Sequence, residues 1–222
     1  MPSSLPNKRI RKSPAARRAE IVDAAAAVAL TEGLECITLR RIAEELAVRP
    51  GLISHYFPAV EDLVAEAFGH AATAELDVLL PADPADPADR ADGADANATR
   101  RLAAFLARTT GEAYDDISRL WLNARHLSRY RPALRARVAA QEAAWRDRLE
   151  GLIRDGVERG EFRTGDPMVT AMQILVVLDG IGMLVNSDDT GDDPPAIRDM
   201  PLTTAERELG LPPGTLTAAA LN

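Results

Sequence analysis

Residues 38–57, TLRRIAEELAVRPGLISHYF, have the pattern of two short helices separated by a tight break. The hydroxyl of Thr38 stands where it can accept from an unpaired backbone N–H at the start of the first helix. Apolar residues then recur at helical spacing and predict one buried face, which comprises Leu39, Ile42, Ala43 and Leu46. After a break at residues 47–49, Pro50 suits the first turn of a second helix, because proline lacks an N–H that would find no acceptor there.

The second of these helices divides into an apolar side and an outward side. Its predicted buried residues are Ile53, Tyr56 and Phe57, and its outward set is Gly51, Leu52, Ser54 and His55. Two such helices joined by a short turn form a helix-turn-helix, whose second helix lies in the DNA major groove. A helical hairpin inside any helical core has the same periodicity, so spacing alone leaves both interpretations open.

The residue types favour the DNA-binding interpretation. The sequence T-L-R-R-I-A-x-x-L-x-V, followed by G-x-I-S-H-Y-F and P-x-x-E-D-L, resembles the TetR family of bacterial repressors over residues 17–68. The I-S-H-Y-F ending is similar to the BetI-type branch of that family. The resemblance implies an all-α homodimer with an N-terminal operator-binding domain and a C-terminal pocket for a small-molecule effector. The chain departs from the family pattern at Arg49, where a serine N-cap is common, and at Ala59 and Val60, where a small hydroxyl residue and a lysine are usual.

The charge distribution supports a nucleic-acid partner although the net charge is −8. Residues 1–57 carry nine Lys or Arg and six Asp or Glu, a net charge of +3, so the remainder carries −11. A basic N-terminal part on an acidic body suits a protein that presents one face to phosphate. A solvated basic tail without a partner is the alternative interpretation.

The chain divides into three parts on this evidence. Residues 1–13 are predicted to be a flexible basic arm, and such arms can reach the minor groove or the phosphates of DNA. Residues 14–58 are the predicted helix-turn-helix domain. Residues 59–222 are the predicted effector-binding and dimerisation domain, which contains a disordered loop at 81–97 because repeated Pro-Ala-Asp units cannot bury a core.

The C-terminal part has the periodicity of several helices. The pattern predicts helices at about 101–110, 115–129, 132–158 and 167–186, and a last short one opened by a capping box of Thr203 and Glu206 and ended by Gly210. The segment 167–186 is apolar nearly all round and approaches the length of a membrane span. Because Gln173 and Asp179 lie inside it and no basic flank follows, we predict a buried helix partly at a subunit interface.

Composition and motifs exclude several classes of function. Cys36 is the only cysteine, so an intramolecular disulfide and a zinc cluster are excluded. The N-terminus lacks the apolar segment of a signal peptide, which predicts a cytoplasmic protein. No nucleophile elbow, phosphate-binding glycine loop or paired-histidine zinc motif occurs. We therefore predict neither an enzyme nor a bound cofactor or metal.

The candidate site residues fall in two groups. The predicted phosphate contacts are Thr38, Arg40 and Tyr56, and the predicted groove contacts are Arg49, Pro50, Gly51, Leu52, Ser54 and His55. Polar and aromatic residues of the C-terminal helices are the pocket candidates: Trp121, Arg125, His126, Trp145, Met172, Gln173 and Asp179. A carboxylate in an apolar helix needs a partner, which for Asp179 is a ligand, Arg125, a backbone N–H or the second subunit.

The function predicted from these features is a ligand-responsive transcriptional regulator, specifically a repressor that a small molecule releases from a palindromic operator. The alternatives are a DNA-binding regulator without an effector and a helical small-molecule enzyme. The BetI-type resemblance suggests choline as an effector, but the sequence shows no aromatic cage for a quaternary ammonium.

Overall fold

The protein is all-α throughout the part that its structure, a computed structural model, describes: residues 12–82, 97–109, 112–187 and 194–221. This confirms the predicted fold class. Most of the predicted basic arm and most of the predicted loop at 81–97 lie outside these ranges.

The first three helices form a compact unit. They are α1 (Pro14–Glu32), α2 (Leu39–Glu45) and α3 (Pro50–Tyr56), with a 3-10 turn, η1 (Leu34–Cys36), between the first two. Ser13 begins α1 by accepting from the N–H of Ala16, and Thr38 begins α2 as predicted, accepting from the N–H of Arg41 at 3.0 Å. Arg49 stands at the N-cap of α3 without a side-chain capping bond.

The turn between α2 and α3 is unusual because an alanine occupies its left-handed position. Ala47 has φ of 50°, a region that favours glycine. Its N–H bonds to the carbonyl of Glu44, and the N–H of Val48 bonds to the carbonyl of Ala43 at 2.9 Å. This is the Schellman arrangement that closes many helices. It sets the angle between the two helices of the motif.

Helix α4 (Val60–Leu79) connects this unit to the body and packs against both α1 and a long helix of the body. The body contains α5 (Ala98–Arg108), α6 (Glu112–Ser128), α7 (Pro132–Glu158), α8 (Pro167–Val185), α9 (Pro195–Arg198), α10 (Met200–Glu208) and α11 (Thr215–Ala220). Helix α7 is the long helix against which α4 packs, and α8 lies against α6, α7 and α10.

The predicted capping box of Thr203 and Glu206 is wrong. Helix α10 already begins at Met200, so Thr203 lies inside it. The buried carboxylate of Glu206 accepts from the N–H groups of Gly214 and Leu216, at 3.0 and 2.8 Å, and so begins α11 rather than α10. The sequence spacing of a capping box occurs here by coincidence, because the helix that the carboxylate caps is brought to it by the chain reversal after Gly210.

Helix α8 leaves much of its apolar surface exposed. By length and composition it could cross a membrane, and 28% of its most apolar window is buried within the protein. The buried side faces the core through Ile174 and Leu178. The exposed side carries a stripe of residues at helical spacing, which we call the α8 stripe: Val169, Met172, Val176, Gly180 and Met183. The apolar residues of α7 are buried inside the chain instead.

Candidate DNA-binding surface and ligand cavity

The outer face of α2 presents two of the three predicted phosphate contacts, Thr38 and Arg40. The hydroxyl of Thr38 is exposed and, while it caps α2, retains its own proton to donate. The side chain of Arg40 is 84% exposed, and its Nε donates to Glu44 at 2.8 Å on the same helix. Such an exposed pair contributes little free energy, so a phosphate can compete for the guanidinium.

Helix α3 separates anchoring from outward residues as the pattern predicts. Ile53 and Phe57 are fully buried in the core. Leu52 and Tyr56 are partly buried, and the fully outward residues are Arg49, Pro50, Gly51, Ser54 and His55. Nothing lies within 4 Å of the position that a Cβ on Gly51 would occupy. The face of α3 therefore offers a nearly bare backbone at its N-terminal end, flanked by polar side chains.

The basic residues of the DNA-binding unit differ in the ion pairs that they make. Arg41 is fixed by Glu32 and Glu45, and Arg18 pairs with Glu66 on α4 and lies 4.4 Å above the ring of Phe57. Of the described Lys and Arg in residues 12–57, Arg49 alone makes no side-chain hydrogen bond or ion pair with another described residue. Its guanidinium is therefore the one that no intramolecular contact restrains.

A cavity of about 320 Å³ lies among α4, α5, α6, α7 and α8. Five of the predicted pocket residues line it: Trp121, Arg125, Trp145, Met172 and Asp179. The other two, His126 and Gln173, have exposed side chains and do not line it. Both follow a lining residue on the same helix, and one residue turns the side chain by about 100°.

The lining residues that sequence analysis missed come partly from other helices and partly from the same ones. Glu75 lies on α4 and Phe105 on α5, whereas Tyr114 lies on α6 and Glu142 and Arg146 lie on α7. Glu75 is a carboxylate near the apolar face of its helix, the same signal that selected Asp179. The other four carry no signal in sequence, because only the packing of their helices brings them together.

Arg125 is at the centre of the charges on the cavity wall. Its Nε donates to Glu142 and its Nη2 to Asp179, both at 2.9 Å, and its guanidinium lies 5.2 Å from the centre of the Trp121 ring. Arg125 is thus the partner that the position of Asp179 required. Two carboxylates neutralise this one guanidinium and leave a surplus negative charge.

Glu75 occupies a different environment on the same wall. Its Oε2 accepts from Nε1–H of Trp121 at 2.7 Å, with no cation in hydrogen-bond contact among the described residues. Burial raises the pKa of Glu75 to about 7, against the smaller opposing effect of the Trp121 hydrogen bond. Burial, and then the nearby carboxylate of Glu75, also raise the pKa of Tyr114. Glu75 therefore changes charge near neutral pH.

The fold brings four aromatic side chains to this cavity, Phe105, Tyr114, Trp121 and Trp145, which the sequence did not reveal as a cluster. The rings of Phe105 and Trp145 have centroids 5.9 Å apart. Trp145 is buried, and its Nε1–H has no hydrogen-bond partner within the described ranges. A buried donor of this kind is satisfied when a ligand supplies an acceptor.

The other candidate sites among the described residues are weaker. A cleft of about 350 Å³ lies between the end of α3, α4 and α7, but Arg18 and Glu66 on its wall already pair with each other. No group of three or more His, Cys, Asp or Glu side chains suited to a metal ion occurs in the described part of the chain. The cavity beside α8 is the best-defined candidate for a small-molecule site.

Two family profiles match the chain in the places that this geometry indicates. Residues 21–67 match the profile of bacterial regulatory proteins of the TetR family, and residues 94–209 match the C-terminal domain of BetI-type transcriptional repressors. The fold and its N-terminal surface define a helix-turn-helix transcriptional regulator, not an enzyme. The chain belongs to the TetR family, in its BetI-type branch. No curated protein matches the chain in sequence.

Similar solved structures share this architecture along most of their length. A transcriptional regulator from Saccharomonospora viridis in complex with choline is 22% identical, with a TM-score of 0.68, over 87% of this chain and 97% of that one. A transcriptional regulator from Pseudomonas aeruginosa PAO1 is also 22% identical, with a TM-score of 0.68, over 92% and 95%. The multidrug binding protein EbrR complexed with proflavin is 26% identical, with a TM-score of 0.55, over 85% and 99%.

Proposed function

We propose that this regulator is a cytoplasmic homodimeric repressor that a small organic cation releases from a palindromic operator. Its DNA-binding domain comprises residues 14–58, and residues 59–222 bind the effector and form the dimer. The observation that carries the proposal is the composition of the cavity wall beside α8, where aromatic faces and surplus carboxylate charge occur together.

The charge balance of the cavity favours a cation. Three carboxylates line it, Glu75, Glu142 and Asp179, against the two guanidinium groups of Arg125 and Arg146. With Glu75 ionised, the wall carries a net charge of −1, which one monovalent cation neutralises. The aromatic rings that line the cavity add the quadrupole attraction that such rings exert on a cation.

The similar structures support the same chemistry. Choline, in the S. viridis regulator, and proflavin, in EbrR, are both organic cations. The size of the cavity is at the lower end of the range for small-molecule sites.

The α8 stripe supports the dimer. Val176, at its centre, is 65% exposed, and soluble proteins rarely leave such a contiguous apolar face uncovered. Pairing the stripe with its two-fold copy buries it on both subunits. Gly180 has open space around its Cβ position and allows close approach of a partner helix, whereas Gly182 packs against Ser118 within the chain. Helix α7 buries its apolar residues within the chain.

Operator recognition follows from the exposed residues of α2 and α3. Thr38, Arg40 and Tyr56 anchor the phosphates, while Arg49 and the outward residues of α3 enter the major groove: Pro50, Gly51, Leu52, Ser54 and His55. A two-fold dimer places two such helices in successive major grooves, so the operator is a near-palindrome. Regulation arises if the effector favours a dimer whose recognition helices no longer match the groove spacing.

The proposal is tested with benzyltrimethylammonium, a permanent aromatic cation, and with neopentylbenzene, its neutral analogue in which carbon replaces nitrogen. The only two tryptophans of the chain line the cavity, so intrinsic fluorescence reports binding directly. We expect the cation to change the fluorescence and to release an operator selected from random duplexes, while the neutral analogue does neither. Equal binding of the two compounds contradicts the cation assignment.

The same test distinguishes the proposed function from the alternative of a regulator without an effector. In that case no cation of this size binds in the cavity, and operator affinity is the same with and without benzyltrimethylammonium. Charge reversal at Arg49→Glu should abolish operator binding with the fold intact under either alternative, because it places a carboxylate against the DNA.

A further inference from the structure

We infer that Asn123 is the residue through which α6 couples the ligand cavity to the DNA-binding unit; this inference rests on the function proposed above. Asn123 stands between two cavity residues in sequence, Trp121 and Arg125, yet does not line the cavity. Two residues along a helix turn the side chain by about 200°, so Asn123 projects from the opposite side of α6.

On that opposite side Asn123 holds η1 with both ends of its amide. Its Oδ1 accepts from the backbone N–H of Leu34 at 3.0 Å, and its Nδ2 donates to the two carboxylate oxygens of Glu35 at 2.8 and 2.9 Å. We call this set of contacts the η1 clasp. It joins positions 88 and 89 residues apart and satisfies a backbone donor at the start of a 3-10 turn.

The backbone at Gly33 leaves room for the η1 clasp. Gly33 has φ of 99°, which favours glycine, and a Cβ there would lie 3.2 Å from the Glu35 carboxylate and 3.9 Å from Oδ1 of Asn123. The turn leads directly through buried Ile37 to Thr38, which begins the helix-turn-helix. A displacement of η1 therefore changes the orientation of α2 and α3.

The other polar links between the two parts are weaker candidates. Arg18–Glu66 and His70–Asp23 join α1 to α4, so they hold only the first helix of the DNA-binding unit and not the segment between α1 and α2. The clasp instead connects α6, which carries three cavity residues, to the segment that leads into the recognition motif. A ligand that moves α6 at Trp121 or Arg125 moves Asn123 with it, because the helix transmits the displacement as a rigid element.

The clasp is tested by a charge-matched pair of substitutions. Asn123→Asp keeps an acceptor for the N–H of Leu34 but sets a carboxylate against Glu35. The double variant Asn123→Asp with Glu35→Gln restores a donor opposite that carboxylate, and Glu35→Gln alone is the control. Three quantities are measured for each: the melting temperature, the operator Kd without ligand, and the ratio of operator Kd values with and without benzyltrimethylammonium.

For Asn123→Asp we expect the ligand-free operator Kd to change by about fivefold, the effect of one net hydrogen bond. We also expect the ligand-induced ratio to fall towards one, and the double variant to restore both quantities. An operator Kd within twofold of wild type, or a double variant that restores nothing, overturns the inference. A purely structural role lowers the melting temperature and leaves the ratio unchanged, which also overturns it.

The operator Kd measured without ligand and the ratio measured with benzyltrimethylammonium test this inference and the proposed function separately. If benzyltrimethylammonium fails to release the wild type from its operator, the proposed effector class is wrong. The ligand-free operator Kd of the four proteins still decides whether the η1 clasp sets the geometry of the DNA-binding unit.

Discussion

The DNA-binding unit and the helical body arrange apolar surface and charge in opposite ways. In residues 12–57 the large apolar side chains, such as Ile42, Ile53 and Phe57, are buried, and the cations are on the surface. In the body, α8 exposes Met172 and Val176, while the carboxylate of Glu75 is drawn into a cavity.

This difference shows which kind of partner each region requires. Surface cations beside a nearly bare helix end suit a polyanion, which needs no apolar contact. An exposed apolar stripe suits a second protein surface, and carboxylates that line a cavity beside aromatic rings suit a small cation. Each of these assignments is open to a separate test.

The largest effect is expected at the α8 stripe. Val176→Glu places a charge at its centre, and burying that charge in a dimer costs several kcal/mol. Because Val176 also lines the cavity, the oligomeric state is the deciding measurement. We expect monomers or aggregates in analytical ultracentrifugation and loss of operator binding, while the wild type sediments as a dimer. Ala139→Glu, on the exposed side of α7, is the matched control and should remain dimeric. A dimeric Val176→Glu variant that binds DNA would show that the subunit interface lies elsewhere.

The next effect concerns the cavity and its dependence on pH. Because the pKa of Glu75 is about 7, its carboxylate ionises between pH 6 and 8 and then attracts a cation. We expect the affinity for benzyltrimethylammonium, measured by tryptophan fluorescence, to rise about tenfold over this interval as the ionised fraction increases. Glu75→Gln should bind more weakly at pH 8 and show no such rise. An equally steep rise in that variant would assign the titration to another group.

The raised pKa of Glu75 also makes the free energy of unfolding depend on pH. The folded-state pKa of Glu75 lies above the ordinary value of 4.5, so the folded protein binds more protons between those two values. Stability therefore falls as pH rises from about 4.5 to 7, and Glu75→Gln should remove this component from the pH dependence of unfolding. Urea titrations of both proteins at several pH values measure it.

A smaller effect is expected on the DNA-binding surface. Arg40→Ala should weaken binding to all duplexes and lower the salt slope of log Kd by about one, because a phosphate contact carries no sequence information. Replacing Leu52 or His55 should instead alter which operator is preferred. An unchanged salt slope for Arg40→Ala would remove that residue from the phosphate contacts.

The smallest effect is expected at the turn of the motif. Ala47 has a positive φ, so Ala47→Gly should relieve strain and stabilise the protein by about 0.5–1 kcal/mol in thermal unfolding. Ala59→Gly is the control, because φ of −107° at that position suits alanine and glycine only adds freedom to the unfolded chain. A destabilised Ala47→Gly variant would show that unfolded-state entropy outweighs the local strain.

The predicted DNA-binding motif matches the structure closely, because its signals are local. The cap at Thr38, the proline at the start of α3 and the spacing of the buried residues all act within one or two turns of helix. The bounds of α7 coincide with the prediction for the same reason. The predicted capping box at Glu206 is wrong because that carboxylate caps a helix beyond the next turn of the chain, and local signals do not reach that far.

The cavity shows a different limit. Trp121 and Asp179 were found from residue type alone, but nothing in the sequence places Glu75 beside Trp121 or Phe105 beside Trp145. The reasoning that predicted Asp179 also selected Gln173, which does not line the cavity, because the orientation of a helix about its axis is set by the helices packed on it.

The sequence by itself determined the all-helical fold, the helix-turn-helix and its outward residues, because local hydrogen bonding and the burial of one helix face depend on neighbours within a few positions. Only the tertiary structure decided which carboxylate faces a cavity without a cation in contact, which side of α8 stays exposed, and that Asn123 holds η1. These features depend on contacts between helices distant in the chain, and the packing of the whole core selects them.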